Sequence, residues 1–212
     1  MPAPSLTRHD APEPRAVVLL LHGGTERSTD EVDGRSASWR RMAKLQRDVA
    51  PALRDAGVST WLLRFAVRGW NGNGAGKVDD ARWALDEIRQ QVGAVPVVLL
   101  GHSMGARTAV HAAAEPSVLG VVALAPWLPR GEPVDALEAS VLRAAHGRRD
   151  RITSYAATRD FVERAREVDC DASLLSMGWA GHYLLSRMGA WNAFAAQETL
   201  GLLPRSRWST PV

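Results

Sequence analysis

The first candidate for chemistry is Ser103, which stands between two glycines in the run Gly-His-Ser-Met-Gly over residues 101–105. Four apolar residues at 97–100 precede this run and predict a buried strand, and alanines at helical spacing follow it. The pattern is typical of the nucleophile elbow, a tight strand-to-helix turn that exposes a serine hydroxyl. A β-carbon in place of either glycine would collide with neighbouring backbone in such a turn. The alternative is a glycine-rich turn whose serine caps the helix.

A base must activate this serine, because a hydroxyl is a weak nucleophile at neutral pH. The base in turn needs an acid that orients it. Among six histidines, His182 follows the last predicted strand and lies in a glycine-flanked loop. We expect His182 to be the base, and a surface-loop or helix-capping histidine is the alternative. The others lie in the amino-terminal arm, at two strand ends, inside the elbow and on the following helix: His9, His22, His146, His102 and His111.

The candidate acid is Asp150, in the loop that follows the strand predicted over 141–145. It lies between the serine and the histidine in the chain, as a serine–acid–histidine order requires. A cap for the helical segment that begins near Thr153 is its alternative role. Asp169 and Asp171 precede the last predicted strand and should lie at its wrong end. The fallback acids, which follow an earlier strand, are Glu132 and Asp135.

Acyl transfer also needs backbone amides that receive the negative charge on the carbonyl oxygen. The Met104 N–H, directly after the serine, is the expected first donor. The second should come from the run His-Gly-Gly-Thr at 22–25, where glycine lets the backbone approach a substrate closely. We favour the Gly24 N–H there, with Thr25 as the second choice. A glycine-rich turn without any ligand role is the alternative.

The elements that must position these residues alternate between strand and helix about six times, which predicts an α/β fold with a doubly wound, mostly parallel sheet of about six strands. Ligands bind outside the carboxyl ends of such strands, and every candidate above lies at one. Residues 1–14 are expected to form an irregular arm and residues 15–212 a single domain. The predicted strands are 16–21, 58–63, 97–100, 118–124, 141–145 and 173–177, and the predicted helices include 38–56, 78–92, 133–139, 155–168 and 183–200.

Composition limits the compartment and the partners. The 212 residues contain no apolar run of 18, so we expect no membrane span. One cysteine, Cys170, excludes an internal disulfide, and the start of the chain lacks the pattern of a secretory signal, so a cytoplasmic location is expected. The net charge is +3, with both signs interspersed, which favours a solvated surface over nucleic-acid binding. No metal-ligand spacing or phosphate loop is present, so no cofactor is expected.

These motifs together resemble the α/β-hydrolase superfamily: the glycines at 23–24, the elbow at 101–105, His146-Gly147 with Asp150, and Gly181-His182. The resemblance implies a reduced α/β-hydrolase fold. About 15 residues separate the strands at 118–124 and 141–145, too few for a cap domain. Little room exists before residue 16 for the usual amino-terminal antiparallel strands. The chain is similar to compact, lidless carboxylesterases and to the dienelactone-hydrolase-like group, which commonly uses cysteine where Ser103 stands.

The resemblance implies a serine hydrolase that cleaves a small carboxylic ester through an acyl-serine. Alternatives are a thioesterase or acyltransferase on the same triad, or a hydrolase-like protein that binds a small ligand without catalysis. The complete triad argues against the last of these. Substrate-pocket walls are expected from Phe65, Trp70, Trp127 and Trp179, although plain packing is the simpler role for any single tryptophan. Two arginines, Arg64 and Arg68, could bind a substrate carboxylate, but a surface role is favoured.

Overall fold

Seven strands and five α-helices follow one another in this computed structural model, which describes residues 2–204. The strands are β1 (Ser5–His9), β2 (Ala16–Leu21), β3 (Val58–Arg64), β4 (Val97–His102), β5 (Val118–Leu124), β6 (Val141–His146) and β7 (Asp171–Ser176). The helices are α1 (Ala37–Asp55), α2 (Ala75–Val92), α3 (Met104–His111), α4 (Tyr155–Glu167) and α5 (Met188–Leu202). A single turn of 3-10 helix covers Asp135–Leu137.

The strands form one sheet in the order β1-β3-β2-β4-β5-β6-β7, and all neighbours are parallel except β1 and β3. Strands β2 and β4 are central and fully buried, because helices cover both faces of the sheet. Their side chains alternate between two cores. Leu19 and Leu99 face the core that includes helices α2, α3 and α4, and Leu20 and Leu100 face the core under α1 and α5.

The predicted doubly wound α/β fold without a cap domain is therefore confirmed. Between β5 and β6 the chain forms only irregular segments and the short 3-10 helix. This leaves the carboxyl end of the sheet without a helical cover from that connection. Within the described residues, no helix is both long and apolar enough to cross a membrane. Residues 205–212 of the predicted domain lie outside the part of the chain that the structure describes.

The amino-terminal arm differs from the prediction, because residues 5–9 form the antiparallel edge strand β1 and bring the sheet to seven strands. The strand is short and mostly exposed, so its sequence lacks the apolar alternation that would reveal it. It is attached through its pairing with β3 and through Arg8, whose guanidinium lies 4.1 Å from the centre of the Trp61 ring. The indole N–H of Trp61 donates to Asp10 at 2.7 Å.

The starts of α2, β7 and α5 also differ from the prediction. Helix α2 begins at Ala75 rather than residue 78, because Gly74 adopts a positive φ and the Asn73 side chain accepts a hydrogen bond from the Ala75 N–H. Strand β7 begins at Asp171, two residues early, where it pairs with Val141. Helix α5 begins only at Met188, so residues 183–187 belong to the loop that carries His182.

Candidate active site

Ser103 lies at the junction of β4 and α3 with φ +56° and ψ −118°. A positive φ is strained for a residue with a side chain, and proteins retain such strain mainly at functional positions. The turn is fixed on both sides: the Ser103 N–H donates to Leu124 O at 3.1 Å, and its carbonyl accepts the N–H groups of Ala106 at 3.1 Å and Trp127 at 3.2 Å. The serine is thus held rigidly at the carboxyl end of the central strand.

The two glycines of the elbow are there for steric reasons. A β-carbon on Gly101 would overlap the backbone of Ala106, and one on Gly105 would overlap the carbonyl group of Leu21. Both contacts are with backbone rather than with the end of a flexible side chain, so neither can be relieved by a rotamer change. The close approach of α3 to β2 therefore depends on glycine at 105.

The substitution Gly105→Ala should destabilise the protein by about 3 kcal/mol, since the new methyl group must displace the backbone of a central strand. The matched control is Gly76→Ala on α2, where a β-carbon meets open space and alanine is the better helix former. Denaturant unfolding of both variants measures the difference. Equal free energies of unfolding for the two variants would contradict the tight elbow.

Three predicted residues from distant parts of the chain come together at this edge of the sheet. The His182 Nε2 lies 3.0 Å from the Ser103 Oγ, and its Nδ1 lies 2.8 Å from the Asp150 Oδ2. All three side chains are largely buried. Because the ring contacts a hydroxyl on one nitrogen and a carboxylate on the other, Nδ1 carries the proton and Nε2 is free to accept one.

Asp150 is surrounded by hydrogen-bond donors. Its Oδ1 accepts the N–H groups of Ile152 and Thr153, both at 2.8 Å, and its Oδ2 accepts the Thr153 hydroxyl at 2.9 Å. Burial by itself would raise the pKa of Asp150, but hydrogen bonds from His146, His182 and these backbone groups hold it far below its usual value. The carboxylate therefore stays ionised throughout the physiological pH range.

His146 and Thr153 were named from the sequence without a role in the site, yet both contact the Asp150 carboxylate. The His146 Nε2 lies 3.1 Å from the Asp150 Oδ2, and its Nδ1 lies 2.8 Å from the Thr158 hydroxyl. A neutral imidazole fits both contacts, since Nε2–H donates to the carboxylate and Nδ1 accepts from Thr158. The carboxylate thus contacts two histidines. The signal was the His-Gly that precedes Asp150 at the end of β6, but no periodicity shows which way its ring faces.

Contacts with His102 hold the loop that carries His182 in place. The ring of His102 lies against the ring of His182, with centres 5.0 Å apart, and its Nε2–H donates to the backbone carbonyl of His182 at 2.9 Å. Burial lowers the pKa of His102 to about 3, so this ring is neutral. His102 therefore acts as an uncharged support for the backbone of His182.

The glycine run after β2 lies beside the elbow, as predicted. A β-carbon on Gly24 would lie 2.5 Å from the Met104 sulfur, and one on Gly23 would lie 3.3 Å from the Ser103 Cβ. The Thr25 N–H donates to Arg68 O at 3.1 Å and is thereby occupied. Within residues 2–204, the N–H groups of Gly24 and Met104 donate to no protein acceptor.

The glycine run begins at His22, which is fully buried. Its Nδ1–H donates to Gly23 O at 2.6 Å and its Nε2 accepts the Phe65 N–H at 3.2 Å. Burial lowers the pKa of His22 to about 4, although the bond to Gly23 opposes the shift, and the charges of Lys77 and Arg64 lower it further. Protonation at Nε2 would break the bond to Phe65, so the neutral ring is part of the fold.

Acid should destabilise the protein through His22 and His102. An unfolded chain protonates both near pH 6.5, whereas the folded chain keeps them neutral down to about pH 4 and about pH 3. The unfolded state then binds more protons, so the free energy of unfolding falls as the pH falls through this window. We expect a loss of about 2 kcal/mol per histidine between about pH 7.5 and pH 5, measured by denaturant unfolding.

The matched pair for this pH dependence is His22→Gln and His9→Gln. The first variant should lose about half of the pH dependence, while the second, at an exposed residue of β1, should keep all of it. A free energy of unfolding that does not change between pH 7.5 and pH 5 would rule out the buried neutral histidines.

The predicted pocket residues separate into different places. Trp70 and Trp127 line a cavity of about 260 Å³ beside α3, together with Arg107. The Arg107 guanidinium lies 4.1 Å and 4.5 Å from the centres of these two rings. Trp179 is 77% exposed and lines a shallow surface depression that Asp150 also lines. Phe65, by contrast, is a core residue in edge contact with His22, because β3 turns its side chain inward.

The remaining charged candidates are engaged elsewhere. The fallback acid Glu132 accepts two hydrogen bonds from Arg107 and also contacts His111. Asp171 pairs with Arg143 at the amino end of β7. The predicted carboxylate binders contact the protein itself. The Arg64 Nε donates to the Ser5 hydroxyl, and the Arg68 Nε donates to Glu31 O.

Comparison with known proteins identifies the family of this chain. The model of the alpha/beta hydrolase family matches residues 18–210, which is most of the chain. The chain belongs to the alpha/beta hydrolase family. This confirms the predicted superfamily. A search of curated proteins finds no match for this alpha/beta hydrolase.

Solved structures show the same fold at low sequence identity. A serine hydrolase without a lid from Xanthomonas campestris is 20% identical, with a TM-score of 0.69 over 99% of this chain and 97% of that one. A serine hydrolase homologue from Coxiella burnetii is 18% identical, with a TM-score of 0.70 over 92% and 90%. Est1E from Butyrivibrio proteoclasticus, solved with ferulic acid bound, is 14% identical, with a TM-score of 0.72 over 94% and 95%.

Proposed function

We propose that this alpha/beta hydrolase cleaves carboxylic esters through an acyl-serine intermediate. The observation that carries the proposal is the continuous chain of contacts from the Ser103 hydroxyl through His182 to the buried Asp150 carboxylate, at 3.0 Å and 2.8 Å. A hydroxyl, a base and an orienting acid at these distances are what acyl transfer to serine requires. The strained φ of Ser103 supports the same role.

In the proposed reaction, the Ser103 oxygen attacks the ester carbonyl while His182 Nε2 takes the hydroxyl proton. Asp150 stabilises the imidazolium and keeps its Nδ1–H pointed at the carboxylate. His182 then gives its proton to the departing alcohol, and the acyl group stays on Ser103 as an ester. A water molecule attacks this ester, with His182 as the base again, and releases the carboxylic acid.

The negative charge on the carbonyl oxygen goes to two backbone amides in this proposal. Among the described residues, the N–H groups of Met104 and Gly24 donate to no protein acceptor, and Gly24 lies against Met104, which follows the serine. The bond from the Thr25 N–H to Arg68 favours Gly24 over Thr25 as the second donor. The amino terminus of α3 adds its positive dipole end at the same place.

Hydrolysis of a 4-nitrophenyl ester series, from acetate to decanoate, tests the proposal. Because no cap domain covers the carboxyl end of the sheet, we expect turnover that is fastest with the short acyl chains. Release of nitrophenol is followed by absorbance against the spontaneous rate. A folded protein that hydrolyses none of the series above this rate would contradict ester hydrolysis, and thioesters of the same acids would then be measured.

A further inference from the structure

A basic groove lies next to the proposed site, between helix α1 and the segment that leads from Tyr183 into α5. Its volume is about 380 Å³. One wall is apolar and comes from Leu184, Leu185 and Met188, in and after the loop that carries His182. The opposite wall comes from α1 and the residues just before it. We call it the basic groove because five cationic side chains line it: Arg35, Arg40, Arg41, Lys44 and Arg47.

Most of this positive charge has no partner in the described part of the chain. Lys44 pairs with Asp48 at 2.8 Å, and Asp48 is the one acidic residue that lines the groove. The four arginines form no ion pair with any residue in 2–204. The groove therefore carries an excess of positive charge beside its apolar wall.

Among the residues of the groove, Arg41 has surroundings that differ most from those of a solvated surface arginine. Its Nε is buried and has no hydrogen-bond partner among residues 2–204, and burial lowers the pKa of its guanidinium. The guanidinium lies over the ring of Tyr183, 4.7 Å from the ring centre. A buried donor without an acceptor is costly, and an anionic ligand in the groove would bring acceptors to this guanidinium.

The two helices add to the positive electrostatic potential of the groove. Helices α1 and α5 both begin at the groove, with Ala37 and Met188 among its lining residues. Neither helix has a side chain that caps its first turn, and neither has an acidic residue there. The positive ends of both helix dipoles thus meet no acidic side chain within the first turn.

The groove adjoins the loop that carries His182. Tyr183 lines the groove and directly follows His182, and the centres of their rings lie 5.4 Å apart. In acyl transfer to serine, the histidine must reach the leaving oxygen because it donates the proton there. A substrate part that lies in the groove therefore belongs to the leaving alcohol, whereas the acyl part lies on the other side of the serine.

We propose that the basic groove binds a phosphate group carried by the leaving alcohol of the substrate. This inference rests on the proposed ester hydrolysis. The phosphate meets the guanidinium of Arg41 and its neighbours, and the carbon skeleton of the alcohol lies on the apolar wall. The volume of the groove fits a small phosphorylated alcohol. Arginine donors in a planar fork match phosphate oxygens well.

Two butyrate esters test the groove, since they share the acyl group and differ in the charge of the alcohol: the ester of 4-(phosphonomethyl)phenol and the ester of 4-ethylphenol. We expect the wild type to favour the phosphonate ester in kcat/KM by about tenfold, a ratio that high salt reduces. The ratio should fall by about tenfold in Arg41→Gln. Equal kcat/KM values for the two esters in the wild type would overturn the proposal.

Further variants separate the groove from general charge and from misfolding. Arg40→Gln and Arg47→Gln change exposed groove residues, so they should fold and still lower the ratio. Arg54→Gln removes the same charge from the exposed last turn of α1 and should leave the ratio unchanged. If the ratio falls equally in Arg54→Gln, the net charge of the protein and not the groove sets the preference, and the proposal is overturned.

A binding measurement distinguishes failure of the groove from failure of the hydrolase. Calorimetric titration of the Ser103→Ala protein with 4-(phosphonomethyl)phenol needs no turnover. Binding that is lost on the further substitution Arg41→Gln supports the groove even if no ester is hydrolysed. Hydrolysis of the neutral ester without any binding of the phosphonate overturns the groove and leaves the hydrolase in place.

Discussion

The substitution Ser103→Ala should lower kcat for ester hydrolysis by about 10⁶-fold, down to the level that amide donors and substrate binding alone provide. The reason is that the attacking oxygen is lost, while the rest of the site stays in place. Alanine removes the hydroxyl that lies 3.0 Å from the His182 Nε2 and tolerates the same backbone turn nearly as well as serine. The measurement is the rate of nitrophenol release with 4-nitrophenyl butyrate under single-turnover and steady-state conditions.

The control for this variant is Ser117→Ala, a partly buried serine just before β5, at the opposite end of the sheet. It should keep the wild-type kcat and the same melting temperature within about 2 °C. Ester turnover in Ser103→Ala within tenfold of the wild type would show that the nucleophile is another group.

The second large effect is expected for Asp150→Asn, where kcat should fall by about 10⁴-fold. The amide oxygen will take the position of Oδ1, because Ile152 and Thr153 donate two backbone N–H bonds there. The amide NH₂ then faces the Nδ1 of His182 and forces that nitrogen to accept. The proton moves to Nε2, which can no longer take one from Ser103.

Asp171→Asn is the matched control, since it removes a carboxylate at the amino end of β7 and leaves the carboxyl end of the sheet untouched. Its kcat should equal that of the wild type. Near-UV circular dichroism checks that Asp150→Asn remains folded. If that variant keeps more than a tenth of the wild-type kcat, the acid of the triad is not Asp150.

Local patterns in the sequence were sufficient to predict that the residues of the candidate site lie together. The apolar run at 97–100 and the glycines that flank Ser103 predict a strand, a turn and a helix without any distant contact. Parallel strands bring their carboxyl ends to one edge of the sheet. For that reason, Asp150 after β6 and His182 after β7 could be assigned to the same edge as Ser103, and the distances agree with this placement.

Contacts that depend on side-chain direction were beyond the reach of these patterns. His146 shares the Asp150 carboxylate because the last residue of β6 faces the loop that follows it, and no periodicity reveals this. Strand β1 is held by pairing with residues about 55 positions later, so its polar sequence alone shows nothing. Phe65 was expected in the pocket, but β3 and the buried His22 direct it into the core.

The basic groove could not be predicted from local sequence patterns either. Its two walls come from residues 35–48 and 183–192, which are far apart in the chain. In the sequence the charged residues between Asp33 and Asp48 are all cationic, but nothing there shows that they lie opposite residues 183–192. Only the packing of α1 against α5 shows that Arg41 is partly buried and that its Nε lacks an acceptor within the described part of the chain.

The most direct test of the proposed function is covalent labelling by a fluorophosphonate probe, which reacts only with an activated serine. Intact and peptide mass spectrometry of the wild type should show one adduct, on Ser103, and His182→Ala should react at least about 10³-fold more slowly because the base is gone. An unlabelled wild type that is folded, or an adduct that forms equally fast in His182→Ala, would contradict a serine nucleophile activated by His182.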